Sequence, residues 1–229
     1  RAHDDDCTEA SLRRRAAAQT RYNPSMAGVV GKRRAAMSHS APLPGSVPVD
    51  AHERLIRALA QSIEVKGYRK TAVTDVVSLA KASRRTFYRV FGTKDDALLA
   101  LMKDVNASLI ADLRAAVDPR LSWKSQVDKA IRVYFTHVER WPAVHLCSIR
   151  ELPYLGEIAE PVIRQSNDAF ASLITTMTDN EQFRRAGIEP ATRLHAMMVQ
   201  GALNELVADI LQSSGRIADG LDLAIASTA

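Results

Sequence analysis

The sequence predicts an all-α protein in which a three-helix helix-turn-helix domain precedes a larger helical domain. Three observations indicate this fold. Apolar residues recur at helical spacing after residue 50, no segment shows the alternation typical of a β-strand, and proline and glycine mark the breaks between segments. The 229 residues can form one large or two small domains. We expect the division at residues 117–118.

Residues 1–49 lack helical or strand periodicity and end in the proline-rich segment APLPGSVP, so we expect a disordered tail. Two arginine- and lysine-rich clusters, at residues 13–15 and 32–34, make this tail basic. It can serve as an arm along a DNA backbone. It can equally be a solvated tail, or residues that precede a natural start at Met26 or Met37.

The first domain is predicted to contain the three helices of the helix-turn-helix and a fourth, linking helix that leads into the second domain. The first runs from Asp50 to Lys66 and ends at Gly67. A short second helix follows, with the apolar stripe Val73, Val76, Val77 and Ala80. Ser83 is a favourable N-cap for a third helix, Arg84–Phe91, and Thr93 for a long fourth helix that ends near Val117.

The third helix buries Phe87 and Phe91 and leaves basic and hydroxyl side chains on its other faces. Two short helices joined by a tight turn, the second of them basic, are typical of a motif that inserts side chains into the major groove of DNA. The positions that match a known pattern in order and spacing are Gly67-Tyr68, Thr71, Val73, Asp75, Ala80, Ser83, Thr86-Phe87-Tyr88, Phe91, Lys94 and Leu98. Through them, residues 51–105 resemble the DNA-binding domain of TetR-family transcriptional regulators.

The resemblance implies a regulator that binds double-stranded operator DNA, with repression as the expected sign and release by a small-molecule effector. Arginine can pair with guanine at its base edge, and hydroxyl and lysine groups can contact phosphates. The candidate DNA-binding residues are Thr71, Lys81, Ser83, Arg84, Arg85, Thr86, Tyr88, Arg89 and Lys94. The sequence departs from the family pattern at Lys81, where the turn usually has glycine, and at Ala72, where a second threonine is usual.

The distribution of charge agrees with a DNA-binding N-terminal part. Residues 1–49 carry eight basic and four acidic groups, residues 50–104 carry eleven and seven, and residues 105–229 carry twelve and fifteen. The two N-terminal parts are therefore each +4, whereas the remainder is −3. A surface that binds phosphates requires this excess of positive charge.

The second domain is predicted to be helical throughout, with segments near Ser122–Arg140, Ala143–Arg150, Gly156–Thr178, Glu189–Ser213 and Ile217–Ser227. The resemblance implies a homodimer formed through about residues 190–227, and hence a palindromic operator. Leu194, Met197, Met198 and Gly201 give this region a wide apolar stripe. The alternative is a core helix of a monomer.

The resemblance also implies that the middle helices enclose an effector. The candidate ligand-binding residues are bulky, soft and sparsely polar: Tyr134, His137, Trp141, His145, Cys147, Asn167, Phe170, Met177 and Met197. Such residues can also simply fill a core. Because no charged cluster accompanies them, we expect an apolar or aromatic small molecule.

The sequence offers no support for catalysis, since it contains no phosphate-binding glycine loop, GxSxG, HExxH or CxxC motif. We expect neither a cofactor nor a metal site. No apolar run is long enough to span a bilayer and no signal peptide is evident, so we expect a cytoplasmic protein. Two other functions stay open: an architectural DNA-binding protein without an effector, and a small-molecule-binding protein with a vestigial DNA-binding head.

Overall fold

The structure is a computed structural model that describes residues 49–213. The predicted tail, except for its last residue, and the predicted helix Ile217–Ser227 lie outside the described residues. The described helices are α1 (Val49–Lys66), α2 (Val73–Leu79), α3 (Arg84–Val90), α4 (Lys94–Ala116), α5 (Trp123–Arg140), α6 (Pro142–Arg150), α7 (Glu160–Thr178), α8 (Glu181–Arg185) and α9 (Arg193–Gln212). The predicted all-α fold is confirmed.

The N-terminal helices begin and end close to where local signals predict. The side chains of Ser83 and Thr93 accept hydrogen bonds from the first turns of α3 and α4, as expected of N-cap residues. Gly67 has a φ of 78° and ends α1 in the left-handed conformation that glycine adopts without strain.

Two helix starts after residue 118 were predicted too early. A helix from Gly156 was expected, but Gly156 has φ 62° and ψ −135°, and it interrupts the 3-10 segment Leu152–Ile158. Helix α7 begins only at Glu160, with proline in its first turn, where no backbone donor is needed. Helix α9 begins at Arg193 because Thr192 caps it.

The short helix α8 was not predicted. It is capped by Asn180, whose side chain accepts a hydrogen bond from Gln182 N–H at 3.0 Å. Its five residues are too few to show a helical apolar period.

Apolar side chains form two buried clusters. The first fills the space among α1, α2, α3 and the start of α4, and it continues into α6 and the start of α7 through Val144, Cys147 and Val162. The second joins α4, α5, α7 and α9 around Phe135, Val138 and Val207. Helix α4 contributes to both clusters, so it connects the helix-turn-helix to the remaining helices. The domain boundary at residues 117–118 stays a prediction.

Within residues 49–213, no helix is both long and apolar enough to cross a membrane.

Candidate nucleic-acid interface

The turn between α2 and α3 places the two motif helices. Lys81 N–H donates to the Ser78 carbonyl at 3.2 Å and Ala82 N–H to the Val77 carbonyl at 2.9 Å. These two bonds form a Schellman motif, which requires a left-handed residue at the position of Lys81. Lys81 meets the requirement with a φ of 50°. The turn therefore keeps the shape that glycine usually provides, although lysine occupies it.

Helix α3 is fixed at its start by a cap and along one side by aromatic packing. Ser83 Oγ accepts a hydrogen bond from Thr86 N–H at 3.0 Å and lies 2.9 Å from Thr86 Oγ1. Phe87 is completely buried, and its ring contacts those of Tyr88 and Phe91 at centroid distances of 5.5 and 5.7 Å. The opposite side of α3 is consequently held outward.

The outward side of α3 carries positive charge that no carboxylate of the described residues neutralises. Arg84, Arg85 and Arg89 are exposed, and none of them forms an ion pair within residues 49–213. Tyr88 is 55% exposed beside them. Lys81 is exposed as well. An exposed, cationic helix with a tyrosine hydroxyl can contact phosphates and guanine edges.

Two of the candidate DNA-binding residues have most of their hydrogen-bonding capacity engaged inside the domain. Thr71 is 2% exposed; its hydroxyl donates to the Gly67 carbonyl at 2.8 Å and lies 3.0 Å from Ser62 Oγ. Lys94 Nζ donates to the carbonyls of Tyr68 and Thr71 at 3.1 and 3.0 Å. Lys94 therefore ties the start of α4 to the loop after α1, and its ammonium also lies 4.1 Å from the centroid of the Tyr68 ring.

Ser62 and Asp95 complete this internal network, and sequence reasoning missed both. Asp95 accepts a hydrogen bond from the Tyr68 hydroxyl. Burial, together with Asp95, raises the pKa of Tyr68 and keeps its hydroxyl protonated as a donor. Ser62 lies on the helical apolar face of α1, where a polar residue could be noticed, but only the fold identifies its partner.

The N-terminus of α2 has half of a capping box. Ala72 has no side-chain acceptor, but Ala72 N–H donates to Asp75 Oδ2 at 2.7 Å. Lys66 Nζ approaches the same oxygen at 2.7 Å, and this hydrogen bond is the main cause of the lowered pKa of Asp75. Asp75 thus provides the reciprocal half of the box in the absence of the expected threonine.

Helix α6 contacts the helix-turn-helix directly. Val144 N–H, in the first turn of α6, donates to Glu64 Oε1 of α1 at 3.0 Å. Arg69, after α1, lies 3.6 Å from Glu151 at the end of α6. A carboxylate at a helix N-terminus is favourably placed. A displacement of α6 would therefore strain or break these contacts and so change the position of α1.

The nine candidate ligand-binding residues are divided among different parts of the described fold, and their role stays a prediction. Tyr134 and Phe170 belong to the second apolar cluster, with Met177 packed against it, whereas Cys147 and Trp141 belong to the first. Asn167 Oδ1 accepts a hydrogen bond from Gln200 at 3.0 Å, and Met197 is exposed on α9. None of the nine lines either of two open clefts, of about 400 and 250 Å³, that border α4.

His137 and His145 are buried against each other between α5 and α6, with ring centroids 5.3 Å apart. His137 Nδ1 lies 3.2 Å from Asp112 of α4, and the Nε2 atom of each ring has no hydrogen-bond partner. Burial lowers the pKa of His145 to about 3, and burial also lowers the pKa of His137. Both rings are therefore neutral at pH 7. In the described part of the chain, no three ligand-type side chains are placed to hold a metal ion.

Comparison with known proteins supports the helix-turn-helix and the fold. The family described as "Bacterial regulatory proteins, tetR family" matches residues 55–101. Among solved structures, the fatty acid degradation regulator FadR from Bacillus halodurans is 18% identical with a TM-score of 0.63, over 76% of this chain and 97% of that one. FadR from Bacillus subtilis in complex with stearoyl-CoA is 18% identical with a TM-score of 0.64, over the same shares.

Regulatory protein TetR from Rhodobacter sphaeroides is 17% identical with a TM-score of 0.64, over 77% of this chain and 96% of that one. No curated protein sequence matches the chain. At these identities the solved structures establish a shared fold, whereas the family match covers the α1–α4 region that carries the exposed arginines. Residues 55–101 therefore carry the DNA-binding domain of the tetR family of bacterial regulatory proteins, and the chain shares its fold with the solved regulator FadR.

Proposed function

We propose that this chain is a homodimeric repressor that binds a palindromic operator through α3 and is released from it by a small-molecule effector. The observation that carries the proposal is the outward side of α3, where three exposed arginines have no ion-pair partner among the described residues. An arginine that is not already paired can donate both of its parallel hydrogen bonds to a guanine or a phosphate.

Helix α9 supports the dimer. One side of it buries Ala196, Val207 and Ala208, and Arg150 of α6 fastens it through a bidentate pair with Glu205 at 2.7 and 2.9 Å. Its other side exposes Leu194, Met197, Met198 and Val199, each between 45% and 66%. A second copy of the chain would cover such a face. Two paired copies would present their α3 helices to successive turns of the major groove.

The effector arm of the proposal is supported by the contacts between helices. Helix α4 enters both apolar clusters, and α6 contacts α1 through Glu64. A ligand that prefers one arrangement of these helices would change DNA affinity by its difference in affinity for the two arrangements. FadR from Bacillus subtilis, which shares the fold, is in complex with stearoyl-CoA, and this supports a small-molecule effector.

Selection of bound DNA from a random duplex pool tests the proposal. We expect a palindromic consensus with half-sites about one helical turn apart. Arg85→Ala should relax the preference at one base pair and weaken binding by about 1–3 kcal/mol. Tyr88→Phe should weaken binding with little change in sequence preference. Arg164→Ala, which removes an exposed arginine of α7, is the matched control and should bind like the parent chain.

The alternatives give different results in the same experiment. An architectural DNA-binding protein would show little sequence preference and a steep dependence on salt, and its affinity would fall when residues 1–49 are removed. A small-molecule-binding protein with a vestigial head would enrich no sequence. Either result would overturn the proposed repressor, whereas a consensus that survives removal of the tail would support it.

A further inference from the structure

We infer that the groove between α4 and α7 binds an amphipathic anion, a small molecule with an apolar chain and an acidic headgroup. This inference rests on the proposed function, since it names the chemical class of the effector. The groove has a volume of about 250 Å³.

The α4 side of the groove is a single helical stripe. Its members recur at i, i+3, i+4, i+7, i+8 and i+11, so they share one face of the helix: Lys103, Asn106, Ala107, Ile110, Ala111 and Arg114. Across it, α7 contributes Val162, Gln165, Ser166 and Ala169 at the same kind of spacing. Small side chains from both helices keep the groove open.

The floor of the groove is apolar and its ends are cationic. Ile110 and Val162 form the floor, and they are 8% and 4% exposed. Lys103 and Arg114 stand at the two ends, about 16 Å apart along the helix axis at 1.5 Å per residue. No acidic side chain lines the groove. An apolar groove with a positive charge at each end complements an anion that carries an apolar chain.

The polar groups at the groove are not committed to other parts of the protein. Within residues 49–213, the side chains of Asn106, Gln165 and Arg114 have no hydrogen-bond or ion-pair partner. Lys103 also borders the neighbouring cleft, where Asp96 and Asp104 offset its charge. No acidic side chain lines the groove beside Arg114. We therefore assign the headgroup to Arg114, whose guanidinium can bind a carboxylate or phosphate through two hydrogen bonds.

The dimensions of the groove select a small ligand. Small-molecule sites usually have volumes of about 300–1,000 Å³, and the groove, at about 250 Å³, lies near the lower end of that range. A single extended chain, however, fits along its length. Because α4 also carries Lys94, which bonds to the Tyr68 and Thr71 carbonyls of the helix-turn-helix, a ligand held by Arg114 would act on the helix that enters the head.

Calorimetric titration of the full chain with three probes tests the inference. Dodecanoate and dodecyl phosphate carry the two acidic headgroups, and dodecanol carries the same chain without charge; all are kept below their micelle concentrations. We expect at least one anion to bind, and dodecanol to bind at least roughly tenfold more weakly, because a hydrogen bond to a charged group is lost. The preferred anion identifies the natural headgroup.

Variants locate the site. Arg114→Gln should weaken anion binding roughly ten- to a hundredfold, whereas Arg164→Gln on α7, outside the groove, should change it less than about twofold. Ala111→Leu should fill the groove and weaken all three probes, whereas Ser108→Leu, on an exposed position of α4 outside the groove, should not. Circular dichroism melting confirms that each variant is folded.

Three results would overturn the inference: no binding of either anion, equal binding of dodecanol and the anions, or equal affinity of Arg114→Gln and the parent chain. The DNA selection described above is scored separately. Anion binding without a DNA consensus would refute the proposed repressor function and support the anion site. A DNA consensus without anion binding would support the repressor function and refute the anion site. Release of the selected DNA by the preferred anion, reduced in Arg114→Gln, would support both.

Discussion

Replacement of Lys81 tests whether strain is stored in the turn that positions α3. Lys81 occupies the left-handed position of a Schellman motif with a φ of 50°. An L-residue with a side chain is disfavoured there by about 1–2 kcal/mol, whereas glycine is not. Glycine, in turn, gives the unfolded chain more freedom, which opposes folding by about 0.4–1 kcal/mol. Lys81→Gly should therefore raise the free energy of unfolding by between about 0 and 1.6 kcal/mol.

Lys81→Ala is the matched control, because alanine loses the charge and keeps a β-carbon. Urea unfolding of both variants compares their free energies of unfolding through the transition midpoints, provided that the dependence of the free energy on urea concentration has the same slope in both. We expect the glycine variant to be about 1 kcal/mol more stable than the alanine variant, or about 2–4 °C higher in melting temperature for a chain of this size. An alanine variant as stable as the glycine variant would refute the argument from strain.

The same two variants report on DNA contact. Both remove one exposed positive charge, so the slope of log affinity against log salt should fall by about one phosphate contact in each. If the slope is unchanged in both, Lys81 contacts no phosphate. The two measurements thus separate the backbone strain at Lys81 from its contact with phosphate. The glycine and alanine variants should differ in stability but not in salt dependence.

Two further predictions concern buried rings. The lowered pKa of His145, about 3, means that the unfolded chain binds a proton below pH 6.5 that the folded chain does not. The contribution of His145 to stability should therefore fall as the pH falls from 6.5 towards 3, by about 2 kcal/mol at pH 5. Urea unfolding at several pH values should show a weaker pH dependence in His145→Phe, in which only the part due to His137 remains. The exposed His195→Phe should keep the full dependence. Phe87→Ala should lower the free energy of unfolding by about 3–5 kcal/mol because Phe87 is completely buried, whereas Tyr88→Ala, at an exposed position, should change it little. Equal losses in thermal melts of these two variants would contradict the proposed orientation of α3.

The helix-turn-helix could be predicted almost completely from the sequence. Caps such as Ser83 and Thr93 bond to backbone groups three residues away, and apolar stripes depend on residues three or four apart. These determinants are local, so the sequence alone contains them. The exposed arginines of α3 follow from the same logic, because a short helix that buries Phe87 must turn its other faces outward.

The helix starts after residue 118 were predicted less well, because the local signals there are weak. Gly156 and Thr192 decide where α7 and α9 begin, yet a glycine inside an apolar segment and a threonine three residues inside a predicted helix are weak signals. The apolar periodicity of the sequence continues across such positions. Only the backbone conformation shows that the helix itself does not extend across them.

By itself, the sequence determined the all-α class, the helix-turn-helix and the confinement of positive charge to the N-terminal part. Only the tertiary structure decided which polar groups face inward. Thr71 and Lys94 bond within the domain, and Glu64 meets Val144 across 80 residues of chain. The groove that Arg114 borders likewise exists only because α7 packs beside α4. Such pairings depend on the path of the whole backbone, which brings distant residues together after each helix has formed from its neighbours.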